Sequence, residues 1–469
     1  MSRVLSWCVS ATMALFVGSL SAGCNQRSIA SVALGDSEEV LHDFAISQNR
    51  ELDILFVIDN SHSMEAEQQS LIEHFDDFMA TLEGIEGGLP NVHIGVISTD
   101  VGVGEGHERF TCDALGDEGH LRPTYDPSCA ADLPSERFIE DIDAGDGTRK
   151  RNYPAGKLSE SFSCMARLGI AGCGYEQPLE SMRRALDPQN LVNQGFVREG
   201  AYLAVVFITD EDDCSASDQT LFGPAEDALD QSLPRRSSFR CFQYGVQCAP
   251  DAPTQEGAKQ DCVARADSPY MAPVTDYVDF LRQLKGRDEL LIVAGITGDP
   301  GPVEVFRNDA GQLDLRKSCG EDPEDDDSGA VPATRLDAFL DSFDYSAHAS
   351  LCGEDLSAAL VDVGNLMAHV IDNRCLEGSL RDFDAVEPGI QPECQVLEMR
   401  DADGVATESV VARCDAVAEP ESSSRLPCYV IEHSPDSCDF TDTGLEIRVY
   451  PEDRSLPPDT RLEVRCLAE

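Results

Sequence analysis

The sequence predicts an α/β fold built on a mostly parallel sheet, and three observations carry that expectation. Short apolar runs rich in branched side chains recur at 53–58, 92–98, 202–209 and 289–297, as in strands buried on both faces. Segments with helical periodicity stand between them. Two of the runs, "DILFVIDNSHSM" and "YLAVVFITDEDDC", empty directly into the carboxylates Asp59 and Asp210. In an open α/β sheet, ligands sit outside the carboxyl ends of the strands, so two acids there ask for a function.

Taken in order, the strand 53–58 leads into a helix over 65–83. Its residues Leu71, Ile72, Phe75, Phe78, Met79 and Leu82 form one apolar stripe. "GGLPN" stops it, and 92–98 is the second strand. Residues from about 100 to 174 are rich in Gly, Pro, Asp and Cys and read as an insertion. The helix 176–186 tolerates Pro178 in its first turn. After the strand 202–209 comes a second Cys-bearing insertion, about 214–268, then the helix "PVTDYVDFLRQL" and the strand 289–297. A third insertion, about 298–330, holds "EDPEDDDSG", a solvated acidic loop without the spaced ligands of an EF-hand. The helix "TRLDAFLDSF", a short strand near Ser350 and a helix over 355–371, with Asp355 as its cap, complete a domain spanning 51–375. Residues 380–469 alternate strand-like runs with turns and read as a small disulfide-bearing β-rich domain.

The 469 residues carry 87 Asp and Glu against 35 Lys and Arg, a formal charge of −52. That balance argues against electrostatic binding of nucleic acid or of an anionic membrane surface. The first 24 residues have the layout of an export signal: Arg3, an apolar centre near 15–20, and small residues before Cys24. Residues 25–50 then read as a polar tether. Of 18 Cys, setting aside Cys8 and Cys24 leaves 16, an even number, with no C-x-x-C among them. In an oxidising compartment these imply up to eight disulfides of undetermined pairing rather than zinc or thiol redox chemistry.

Asp59, Ser61 and Ser63 place a carboxylate and two hydroxyls at alternate positions. One reading is a helix cap. The other brings them together with Asp210 as an all-oxygen set for a hard divalent cation, Mg²⁺, Mn²⁺ or Ca²⁺. Neutral hydroxyls leave such an ion able to take one more anionic oxygen, from a partner. Asp212 and Asp213 are close enough in sequence to contribute through water; the other reading is exposed acids in a turn. His62 should point away from the two hydroxyls. No G-x-S-x-G or phosphate-cradling G-x-x-x-x-G-K occurs, and "DTG" at Asp442 is a lone tripeptide, so no catalytic residue is assigned and no enzyme is expected.

"DNSHSM" resembles the D-x-S-x-S of the metal ion-dependent adhesion site in von Willebrand factor type A domains, and the position of Asp210 in "FITDEDD" matches that family's acidic residue after its fourth strand. The order of segments agrees over about 51–372. The resemblance implies a doubly wound sheet, a metal held by Asp59, Ser61, Ser63 and Asp210, and a protein partner offering a carboxylate. The family also has a Thr before its third helix, where this chain reads "GCGYEQ". Glu176 either substitutes there as an oxygen ligand or the site lacks that ligand. "SAGC" resembles the lipobox of bacterial lipoproteins, with Leu20 one place upstream of the usual position, implying lipidation at Cys24; plain secretion is the alternative. Together these suggest an exported, envelope-bound adhesion or binding protein, with a structural disulfide-rich envelope protein as the alternative.

Overall fold

The computed structural model describes residues 41–467 except 47–48, 86, 109–110, 122–133, 224–236, 250–252, 310, 321–328, 354, 372–373, 377–378, 384–389, 403–404, 416–419, 435–437, 439–442 and 451–459. The export signal with Cys24, most of the tether, the acidic loop 321–328 and Asp442 therefore lie outside the described residues.

A seven-stranded sheet forms the centre. Its strands in chain order are β1 (Glu51–Ile58), β2 (Asn91–Ser98), β3 (Ile139–Asp143), β4 (Arg149–Arg151), β5 (Tyr202–Ile208), β6 (Leu291–Thr297) and β7 (Ser346–Ser350). They lie in the order β7-β6-β5-β1-β2-β3-β4. The five from β7 to β2 are parallel, while β3 and β4 are added antiparallel at one edge. Those two strands come from the segment 100–174, expected to be an insertion outside the sheet. They are short and carry polar residues, as an edge allows, so no unbroken apolar run announced them.

Helices cover both faces, which is why the parallel strands have no polar side. Ile54, Phe56 and Ile58 of β1 face one core, while Leu55 and Val57 face the other. The first core packs against α1 (Glu65–Glu83), α2 (Leu158–Ala166) and α7 (Ser357–Ile371); the second against α3 (Pro178–Leu186), α5 (Val274–Lys285) and α6 (Thr334–Leu340). In the first, Phe56 meets Phe75, Phe78 and Phe162 edge-on, and Phe75 stacks on Phe162. The last helix starts at Ser357, two residues later than read from the sequence, and Asp355 accepts from the Ser357 N–H at 2.9 Å.

Two further sheets complete the molecule. Four strands, Leu313–Leu315, Val303–Arg307, Gly257–Ala264 and Val246–Ala249, form a small antiparallel sheet packed on α4 (Ser237–Gly245), with the Cys248–Cys262 disulfide across its last pair. The C-terminal residues build a seven-stranded, mostly antiparallel sheet. One of its edge strands is Leu41–Ile46, paired with Thr460–Leu467, so part of the expected tether is sheet. Among the described residues, seven disulfides join Cys112–Cys173, Cys214–Cys241, Cys248–Cys262, Cys319–Cys352, Cys375–Cys438, Cys394–Cys466 and Cys414–Cys428. That many bridges belong in an oxidising compartment. Among the described residues no helix is long and apolar enough to cross a membrane.

At the amino ends of the strands, a buried acid is locked by an arginine. Arg198 donates to both Asp53 oxygens at 2.7 Å, from Nε and from its own backbone N–H. Below it, Lys285 at the end of α5 donates to the carbonyls of Arg198 and Glu199 at 2.8 and 3.1 Å.

Two outcomes follow. Phe75→Ala opens a cavity in the aromatic cluster and should cost about 3–5 kcal/mol in urea unfolding with the disulfides intact. Burial pushes Lys285 down to about 8, against the pull of Asp53 and Glu199 and with the push of Arg287 and Arg198. A lysine lowered in the folded state is penalised below that value and relieved above it. Wild-type stability measured relative to Lys285→Met should therefore rise between about pH 8 and about pH 10, and a flat difference would refute the assignment.

Candidate functional site

β1 and β5 are neighbours in register, Ile58 opposite Ile208, so the residues after them emerge together at the carboxyl edge. The Asp59 N–H still donates to the Ile208 carbonyl at 2.9 Å. Its side chain then turns under the following loop: Oδ1 accepts from the Ser61 N–H at 2.7 Å, and Oδ2 from the Thr209 hydroxyl at 2.6 Å. Gln68 of α1 fixes the Asp59 carbonyl at 2.9 Å.

The two serine hydroxyls are 3.2 Å apart. Neither is spent on capping: Ser61 precedes the 3₁₀ turn His62–Met64 without a side-chain capping bond, and Met64 stands at the start of α1. Ser63 shares its hydroxyl contact with Ser61 and holds Asp210 down against the rise that burial causes. His62 is exposed to solvent.

Asp59 is fully buried and Asp210 is 4% exposed. Burial, then the nearby Asp210 carboxylate, raises Asp59 above the usual carboxylate range. Burial also raises Asp210, opposed by Lys317 and by the Ser63 bond. Asp210 Oδ1 is buried with no hydrogen-bond partner.

Glu176 reaches the same region. It is fully buried, with Oε2 accepting from the Thr99 hydroxyl and Oε1 without a partner. Burial followed by Asp59 and Glu211 raises it well above its ordinary value. Glu211 itself is pushed up to about 8 by burial and by Asp210 and Asp59. Glu67, in the first turn of α1, has one buried oxygen without a partner and is raised by burial and by Asp210.

Close backbone approaches hold these loops together. The Gly172 N–H donates to the Asn60 carbonyl at 2.9 Å, and a Cβ there would sit 2.2 Å from Asn60 Oδ1. A Cβ at Gly298 would lie 2.1 Å from the Val331 carbonyl, and the Val331 N–H donates to the Asp210 carbonyl at 2.9 Å.

Asp212 and Asp213 are drawn elsewhere. Asp212 accepts from the backbone N–H of Arg335 and Leu336 at 3.0 and 3.1 Å, capping α6. Asp213 Oδ2 pairs with the guanidinium of Arg335 at 2.9 Å, both side chains fully buried, and its Oδ1 accepts from Leu179 N–H and Ser215. The expectation that they reach the site through water gives way to structural roles, because helix and guanidinium donors take their oxygens.

Thr99, Thr209, Glu67 and Lys317 escaped the sequence reading. Thr99 and Thr209 each stand just after a buried strand, as Asp59 does, and that shared position was the available signal. Glu67 and Lys317 gave none.

A divalent ion fits the donors on chemical grounds. All are oxygen, and Asp210 Oδ1 and Glu176 Oε1 are buried acceptors lacking donors. Among the described residues, however, no three His, Cys, Asp or Glu form a group that could hold a metal. Hydroxyls would have to complete the donor set, and Glu176 is already engaged by Thr99.

No family model matches the chain, and no curated protein does either. Among solved structures, proximal thread matrix protein 1 from the mussel byssus is 9% identical at a TM-score of 0.27, covering 70% of this chain and 48% of that one. The human COPII-coat protein Sec24c is 8% identical at a TM-score of 0.30, covering 91% of this chain and 46% of that one. The chain spans a little under half the length of each, and likenesses this distant carry no argument about fold or function.

Arg335→Met should cost about 3–5 kcal/mol in urea unfolding, because it leaves the buried Asp213 without its ion-pair partner. Asp213→Asn in the same chain should recover part of that loss.

Proposed function

We propose that this is an exported binding protein of the von Willebrand factor type A kind. It would capture an acidic group of a protein partner through a divalent cation, Mg²⁺ first among the candidates, at Asp59, Ser61, Ser63 and Asp210, with Glu176 close by. In this reading the Cys-rich segments are insertions in a type A domain, and Cys24 carries a lipid that holds the chain to a bacterial envelope.

One observation carries the proposal. Two buried acids end adjacent parallel strands, flanked by serine hydroxyls not used for capping, and no guanidinium neutralises them among the described residues. Elsewhere in the same sheet a buried acid has such a partner, as Asp53 has Arg198. A bound hard cation would bring positive charge to both acids at once and an open position for an anionic oxygen. The chain's own part is to orient Asp59 through Thr209 and the Ser61 N–H, to bring Ser63 onto Asp210, and to leave the exposed His62 turn at the rim.

A second reading is a disulfide-stapled structural protein whose site is vestigial or only stabilises the fold. The engagement of Glu176 by Thr99 and the ammonium of Lys317 beside Asp210 favour it.

Calorimetric titration and capture from an envelope extract separate the two. Under the binding reading, Asp59→Ala keeps its circular dichroism spectrum but loses Mg²⁺ or Mn²⁺ binding and chelator-reversible capture of a partner. An unchanged metal titration in that variant sinks the binding reading. Metal that raises the melting temperature while capture ignores chelator supports the structural one.

A further inference from the structure

We propose that Lys317 is the resident cation of this acidic pocket: its ammonium compensates Asp210 when no metal is bound, and a divalent ion enters by displacing it. The inference rests on the metal-site reading above and names the residue that sets how tightly the ion is held.

Geometry is the first ground. Lys317 Nζ lies 3.9 Å from Asp210 Oδ2, with the two side chains 13% and 5% exposed. That separation is an ion pair but exceeds hydrogen-bond range, so the ammonium compensates the acid without being locked to it. Asp210 Oδ1, meanwhile, has no partner.

The choice of residue is the second. Three buried acids that serve structure meet an arginine at hydrogen-bond distance: Arg198 on Asp53 at 2.7 Å, Arg151 on Asp141 at 2.9 Å, Arg335 on Asp213 at 2.9 Å. Asp210 receives a lysine, a compact charge on a flexible stem that can withdraw at little cost.

Its mounting is the third. The backbone around Lys317 is fixed: the Arg316 N–H donates to the Glu304 carbonyl at 3.0 Å, the Ser318 N–H to the Ala330 carbonyl at 2.8 Å, and Cys319 is bridged to Cys352. Only the stem needs to move. The ammonium also acts on Glu67 and Glu211, lowering both against the rise that burial causes, so one charge serves three acids.

Two cations competing for one acid repel, so removing the lysine charge should tighten metal binding. The experiment is calorimetric titration of Mn²⁺ into the full chain, pre-treated with chelator and desalted, as wild type, Lys317→Gln, Lys317→Met and Lys317→Arg. Circular dichroism checks folding, and two neutral variants guard against one that fails to fold. The expected result is on the order of ten- to a hundredfold tighter binding in the neutral variants, with Lys317→Arg close to wild type. A silent wild type beside neutral variants that bind supports the proposal equally, since the lysine then excludes the ion outright. Equal affinity in wild type and neutral variants overturns the displacement while leaving the metal site standing. Binding in none of the four overturns both.

Discussion

The organisation of this protein turns on buried negative charge at the carboxyl edge of a parallel sheet. Burying a carboxylate without a cation is costly, and a folded chain normally answers with a guanidinium or by keeping the proton. At the amino edge the answer is Arg198, which grips Asp53 with two hydrogen bonds. At the carboxyl edge Asp59 has, among the described residues, a hydroxyl and an amide, and Asp210 has a lysine at ion-pair distance. The two acids belong to the same sheet, so the difference lies in what the loops bring to each end.

Those loops are held in place covalently. Cys173, bridged to Cys112, donates its N–H to Asp100 and sits three residues before Glu176. Cys214, bridged to Cys241, follows Asp213 directly and donates its N–H to the Glu176 carbonyl. Cys319, bridged to Cys352, stands two residues after Lys317. Three disulfides thus anchor segments that deliver charged groups to one edge. Cross-links of this kind limit the conformations open to long irregular loops, which otherwise lack the repeating hydrogen bonds of a helix or a strand.

The four acids of "DEDD" show how one short run is divided among tasks by geometry. Asp210 turns to the pocket beside Ser63. Glu211, half-buried, feels Asp210 and Asp59. Asp212 caps α6, and Asp213 neutralises Arg335 while accepting from the first turn of α3. In sequence they are a block of like charge. In the fold, Asp212 and Asp213 point where their donors lie, while Asp210 Oδ1 is left without one.

By itself the sequence determined most strands and helices of the central layer, though not α2, because unbroken branched apolar runs in β1, β5 and β6 and the period-3.6 stripe of α1 are local and strong signals. It also marked Asp59, Ser61, Ser63 and Asp210, since an acid at the end of an apolar run is a local anomaly. It could not reveal that β3 and β4 extend the sheet, that Leu41–Ile46 pairs with the C-terminal strand, or which cysteines join. Those depend on partners distant along the chain. Tertiary structure alone decided that Glu176 binds Thr99, that Asp213 belongs to Arg335, and that Lys317 comes to Asp210 from more than a hundred residues away. The physical reason is the same in each case: a side chain's charge is written in the sequence, but the group that compensates it is chosen by which loops the fold brings to the same edge.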